Sequence, residues 1–190
     1  SVLHHHAPEG HCEILLQGVR VPADHLLGDW GAGFAMAQAR LGPGRVHHCM
    51  RSIGQCELAL QLAAERTLER RTFGKYLSEQ SNVQDWLAQA RIAIDQARLL
   101  TLQAAWKIDN LGVMSALTDV SAIKVVAPNV LQQVVDFAIQ MHGGMGVSHD
   151  TPLTAFFNQA RSLRLADGPD EVHKGMIARL RSEERRVGKE

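Results

Sequence analysis

VQDWLAQARIAIDQARLLTLQAAWKI, residues 83–108, decides the fold class. Val83, Leu87, Ala90, Ile94, Ala97, Ala104 and Ile108 recur three and four apart, and only Thr101 breaks the seam. That is the period of an α-helix with one apolar face. Arg91, Asp95 and Arg98 fall off the seam, on a side expected to be solvated or partner-facing. An earlier seam runs through Cys49, Ile53, Cys56, Leu60 and Ala63, and a later one through Val120, Ile123, Ala127, Val130, Val134, Phe137 and Met141. Three long helices on short connections read as an antiparallel bundle rather than an extended coiled coil. Pro128, inside the third run, should remove a hydrogen bond or kink the helix. Gly42-Pro43-Gly44-Arg45 interrupts the first pattern. A shorter fourth helix is expected from Thr151-Pro152, and a fifth after Gly168-Pro169, because Pro suits the first helical position.

Upstream, residues 13–22 form the only convincing strand, ending at Pro22, and residues 23–30 read as a loop. A strand alone in its chain needs partners from elsewhere. The chain opens on Ser1 and enters this segment almost at once, as a cut through a larger protein would. The expected class is therefore all-α: a helical bundle over residues 30–180, preceded over 1–29 by the end of a β-domain and a linker. Residues 181–190 form a charged tail that resembles translated adaptor or vector sequence and carries no functional argument.

Twenty basic and twenty acidic side chains cancel, so no electrostatic pull toward nucleic acid or an anionic membrane is expected. No apolar run looks long enough to cross a bilayer, and the start lacks a signal-peptide pattern, so membrane insertion is not expected. Ten histidines include His4, His5 and His6, but no second ligand cluster accompanies them, and no metal site is expected. Cys12, Cys49 and Cys56 cannot all pair within the chain and lack metal spacing, which points to a reducing compartment.

Four patches do not look like bundle filler. In the first, Arg45 after Gly42-Pro43-Gly44 could hold an anionic or carbonyl-bearing ligand, although a surface Arg beside a helix start is the commoner case. In the second, Glu69 to Lys75, cations and Gly74 suit a helix C-terminus, and a phosphate site with Phe73 as a flat surface is the sharper alternative. In the third, Gln140-Met141-His142-Gly143-Gly144-Met145-Gly146, glycines let backbone N–H groups approach a ligand, or simply stop a helix. The fourth is Leu165-Ala166-Asp167-Gly168-Pro169-Asp170-Glu171-Val172-His173. A carboxylate at such a helix-leading turn is a general base, a helix-terminal charge or a cap, and the last two are commoner.

Together, in this order, the patches resemble the C-terminal part of an acyl-CoA dehydrogenase, from about Glu13 to Leu180. The nearest likeness is to members carrying Gly-Pro-Gly-Arg then His-His-Cys-Met-Arg, here residues 42–51, and Ala-Asp-Gly-Pro-Asp-Glu-Val-His, here residues 166–173. The resemblance implies that a carboxylate takes the α-proton of an acyl-CoA thioester while a hydride passes from the β-carbon to FAD, giving 2-enoyl-CoA. Asp167 stands at the position of the family's catalytic acid, where most members carry Glu. Gly42, Arg45 and Gly168 correspond to positions along the substrate. Arg70 and Phe73 match residues that reach FAD bound to a neighbouring subunit. Gln140, Gly143 and Gly144 match the segment under the adenosine half of that flavin. Pro169 and Glu171 stand where Thr and Gln usually touch FAD, and Ser81 replaces a frequent adenine-facing Gln.

By the same resemblance the partners are acyl-CoA, an electron-transfer flavoprotein and further copies of the chain, as a dimer or tetramer. The compartment would be cytoplasm in a bacterium, and mitochondrion or peroxisome in a eukaryote. The isolated piece is expected to be inactive. An acyl-CoA oxidase or nitroalkane-oxidase-like enzyme that uses oxygen is the alternative on the same fold. A non-catalytic helical oligomerisation scaffold is the alternative from another class.

Overall fold

The structure is a computed structural model and describes residues 12–187, with side-chain surroundings through residue 183. Five helices dominate it: α1 (Gly33–Glu69), α2 (Ser81–Leu111), α3 (Leu117–His142), α4 (Leu153–Leu163) and α5 (Asp170–Val187). A minimal antiparallel hairpin, β1 (Arg71–Thr72) and β2 (Lys75–Tyr76), turns the chain between α1 and α2. α3 is the hub and packs against all four other helices. The expected bundle class is the observed one.

The seams account for this arrangement. Ile53, Cys56, Ala59 and Ala63 of α1 meet Val83, Ala90, Ile94 and Ala97 of α2 and Leu131, Val134, Val135 and Ala138 of α3 in one buried cluster. Fully burying a side chain such as Ile94 or Leu131 contributes about 1.5–3 kcal/mol. Thr101, the break in the second seam, is buried too, and its hydroxyl donates to the Ala97 carbonyl at 2.8 Å. Pro128 lies buried inside a continuous α3, where its missing N–H forgoes one backbone bond.

Three expectations need correction. Residues 13–22 are not a strand: Ile14, Leu15, Leu16, Val19 and Val21 are all exposed, and no second strand offers them hydrogen bonds among the described residues. Gly42-Pro43-Gly44 does not interrupt α1, which runs through it. Local propensity is a weak prior, and the buried seam that follows overrides it. The segment Val113–Val147 is long and apolar enough by composition to cross a membrane, contrary to the sequence reading. Its helix α3 instead spends that apolar surface on the bundle core. The side of α2 bearing Arg91, Asp95 and Arg98 is partly solvated, as expected, and its two arginines also reach across to α1. Arg91 grips Glu57 with two bonds of 2.8 Å, and Arg98 bonds the same carboxylate. Arg91's hydrogen bonds, ahead of those from Arg98, hold the Glu57 carboxyl down at about 2.

His4 to His6 lie outside the described residues. α5 continues through part of the charged segment to Val187.

Candidate active site

The turn between α4 and α5 carries Asp167 at φ +56° and Gly168 at φ +103°. Asp is among the few non-Gly residues that tolerate the left-handed region, whereas position 168 needs glycine twice over. A Cβ there would sit 2.8 Å from His173 Nε2 as well as straining the backbone.

Side chains from three helices clamp this turn by its carbonyls. Arg45 Nε of α1 donates to the Asp167 carbonyl at 3.2 Å, and His173 Nε2 of α5 lies at the same distance from it. Lys124 Nζ of α3 donates to the carbonyls of Leu163 (2.5 Å) and Gly168 (3.3 Å). Asp170, buried at the start of α5, accepts from Arg164 Nε (2.9 Å) and Asn129 Nδ2 (3.0 Å). The Pro169 carbonyl accepts the first α5 bonds, from the amides of Val172 and His173.

The side chain of Asp167 does not act as the cap that its sequence position suggests. Its Oδ2 lies 3.1 Å from His48 Nε2 of α1, and His48 Nδ1 lies 2.9 Å from Arg51 Nη2. Burial, then the Arg51 charge, lowers the pKa of His48 despite the opposing pull of Asp167. Burial likewise leads in lowering His173 and Lys124. Asp170 is pushed up by burial but pulled further down by its bonds from Asn129 and Arg164, so its net shift is downward. Burial pushes the neighbouring Cys49 thiol up to about 12.

A second feature opens at the end of α1. A cleft of about 630 Å³ is lined by Arg66 and Arg70, by Thr72 and Phe73 of the hairpin, by Gln80 and Trp86, and by the segment from Gln140 to Met145. Phe73 (φ +50°) and Gly74 (φ +81°) make the two-residue turn that a tight hairpin requires, and Phe73 is fully exposed at its tip. Gly143 ends α3 at φ +63°. His142, buried beside it, donates from Nδ1 to the Ala138 carbonyl at 2.8 Å. The Nε of Arg66 is buried without a hydrogen-bond partner. Two guanidinium groups, one of them with an orphaned donor, fit an anionic group such as a pyrophosphate.

The sequence-predicted residues thus fall into two groups. Arg70, Phe73, Gln140, Gly143 and Gly144 all line the cleft. Asp167, Gly168, Pro169, Glu171 and Arg45 gather at the α4–α5 turn, with Glu171 exposed. Arg45 meets the turn's own backbone, so it shapes the site in this chain. Gly42 is buried inside α1, and a Cβ added there would make only an ordinary 3.5 Å contact with Val113, so packing in this chain does not demand glycine at that position. Sequence reasoning assigned no role to His48, Arg51, Lys124, His173 or Arg66. The signal for Lys124 was a lone cation in the most apolar helix. For His48 and His173 it lay inside the quoted motifs.

The family profile described as "Acyl-CoA dehydrogenase, C-terminal domain" matches residues 31–180. A Mycobacterium tuberculosis protein named "Probable acyl-CoA dehydrogenase FadE2" is 56% identical over 170 residues, which are 90% of this chain and 42% of that one. "Acyl-CoA dehydrogenase family member 11" of Rattus norvegicus is 51% identical over 171 residues, 90% of this chain and 22% of the other. The solved butyryl-CoA dehydrogenase of Megasphaera elsdenii superposes with a TM-score of 0.79 at 32% identity, covering 86% of this chain and 42% of that one. The chain therefore spans less than half the length of these relatives.

Proposed function

Since this chain belongs to the acyl-CoA dehydrogenase family and matches its C-terminal domain, we propose that the whole protein oxidises an acyl-CoA thioester to 2-enoyl-CoA. The observation that carries the reading is Asp167. Its carboxylate stands on a left-handed turn whose carbonyls are held by Arg45, His173 and Lys124. A carboxylate so fixed is a positioned general base, and fixed geometry is what proton abstraction from carbon demands.

In this mechanism the α C–H bond breaks with its proton passing to the Asp167 carboxylate, and its electron pair becomes the new double bond. Bound FAD would supply the acceptor for the β-hydrogen and its electron pair. Gly168 keeps the backbone beside the base slim, and Arg45 holds the base's own carbonyl. Arg66 and Arg70 would hold phosphate oxygens of FAD, with Phe73, Gln140, Gly143 and Gly144 around the cleft. Pro169 and Glu171 lie next to the base, where they would face the cofactor's reacting end.

The arrangement also supports an oligomer. Ile92, Leu99 and Trp106 form an exposed stripe at seven-residue spacing along α2, and Phe73 projects fully exposed from the hairpin tip. A dimer or tetramer would cover the stripe and carry Phe73 to a neighbour's flavin. Electron-transfer flavoprotein is the proposed acceptor. Residues 1–29 are proposed as the end of a β-domain, whose missing portion would cover Ile14 to Val21.

The test is to express the protein with its N-terminal domains, add acyl-CoA anaerobically and follow the flavin absorbance. Bleaching in the parent and its loss in Asp167→Asn are expected. Bleaching at parental rate in Asp167→Asn would remove Asp167 from the mechanism. Peroxide formed without any flavoprotein acceptor would reassign the enzyme as an oxidase.

A further inference from the structure

The assignment of Asp167 as base leaves two residues of α1 unused: His48, which meets its carboxylate, and Arg51, which meets His48. His48 and Arg51 lie on one face of α1, three residues apart. Arg51 Nη2 stands 2.9 Å from His48 Nδ1, and His48 Nε2 stands 3.1 Å from Asp167 Oδ2. A guanidinium nitrogen is always a donor, so His48 Nδ1 must be the acceptor. The imidazole proton is then on Nε2, aimed at the carboxylate. Three groups thus form a directional chain: Arg51 donates to His48, and His48 donates to Asp167.

We infer that His48, locked in its Nε2–H tautomer by Arg51, is a positioning residue that holds Oδ2 of the Asp167 carboxylate and turns Oδ1 toward the α-proton of the substrate. This rests on the reading of Asp167 as the base. Asp has one methylene less than the Glu found in most of the family, so its carboxylate reaches less far and its orientation matters more. The bond to His48 supplies orientation that side-chain length does not. The groups around the imidazole agree with a neutral donor. Arg51 and His47 on α1 and Lys124 on α3 all oppose a second proton on it, and only Asp167 favours one.

The experiment isolates proton abstraction from hydride transfer. 3,3-Dimethylbutanoyl-CoA has α-hydrogens but no β-hydrogen, so the base exchanges its α-protons with D2O while no oxidation follows. Exchange is read by mass spectrometry on the full-length, flavin-loaded protein, with flavin content and ligand dissociation constant measured alongside. His48→Leu is expected to exchange roughly ten- to a hundredfold more slowly, as misplacement of a reacting group does, with flavin content and ligand affinity unchanged. Two amides of like polarity provide the control for folding. His48→Gln places its N–H where Nε2 was and restores most of the exchange, whereas His48→Asn falls short of Oδ2 and does not. Equal rates for the Gln and Asn variants, or a parental rate in His48→Leu, overturn the inference while leaving the base assignment intact. Undiminished exchange in Asp167→Asn overturns the base assignment itself and this inference with it.

Discussion

From within the bundle's most apolar helix, Lys124 ends its side chain on the carbonyl of Leu163, 2.5 Å away. The same ammonium reaches the Gly168 carbonyl, so one buried cation ties α3 to both sides of the Asp167 turn. Lys124→Met fills the volume but leaves those carbonyls without a donor. A loss of about 1–3 kcal/mol is expected, read as a lower denaturant midpoint at unchanged slope, together with slower bleaching by acyl-CoA. An unchanged midpoint would show that water replaces the ammonium without penalty.

Gly168→Ala forces a side chain into φ +103° and onto His173 Nε2. Such backbone strain is worth about 1–3 kcal/mol, and relief requires the turn to move. Activity should therefore fall by a larger factor than stability does. Turnover and thermal melting measured on the same preparation separate the two.

Glu57 predicts an acid-sensitive helix pair. Its folded pKa, about 2, lies below the reference value of 4.5. The Arg91–Glu57–Arg98 network therefore stabilises the fold above pH 4.5, and that contribution fades as pH falls from 4.5 toward 2. About a third of the Glu57 side chain is exposed, so solvent screening trims the effect to about 1 kcal/mol. Glu57→Gln should melt lower than the parent at pH 7, and the gap should close by pH 2. A gap that persists at pH 2 argues for packing rather than charge.

The thiols give a simple check of burial. Cys49 and Cys56 are buried and pushed up to about 12, while Cys12 is exposed. Only the thiolate reacts with alkylating agents. At pH 8 the folded chain should take up one equivalent of iodoacetamide, and the denatured chain three. Rapid modification of all three without denaturant contradicts the packing of α1.

Arg66, with its unpartnered Nε in the cleft, should matter to flavin retention. Arg66→Met is expected to weaken FAD binding about tenfold, as loss of one charged hydrogen bond does. The flavin-to-protein ratio after gel filtration measures it, with turnover at saturating FAD as the companion reading. A ratio equal to the parent's places the phosphate elsewhere.

The helices were legible because period three-and-four burial leaves a repeated mark, as Ile53, Ile94 and Val134 show. The 13–22 segment misled because its apolar and β-branched residues report a preference for pairing, not the presence of a partner. Pro43 misled in the opposite direction, since a single breaker cannot outvote the seam after it. At the site, Asp167 was visible through its Gly-Pro neighbours. Lys124 and His48 were not, because their roles depend on helices brought together across 44 and 119 positions in the chain, respectively. The cap reading failed for a related reason: what a carboxylate touches is set by the neighbouring helix, not by its own turn.

The left-handed backbone at Asp167 restricts which side chains evolution can try there. Asp and Asn suit φ +56°, whereas longer and branched side chains suit it less. The shorter acid is then a conformational choice as much as a chemical one, giving up a methylene of reach for a comfortable main chain. Asn is consequently the fair replacement at this position, since it keeps the backbone and deletes only the charge. Ala would confound lost chemistry with altered folding, and a restored Glu would bring a longer arm onto a turn shaped for a short one.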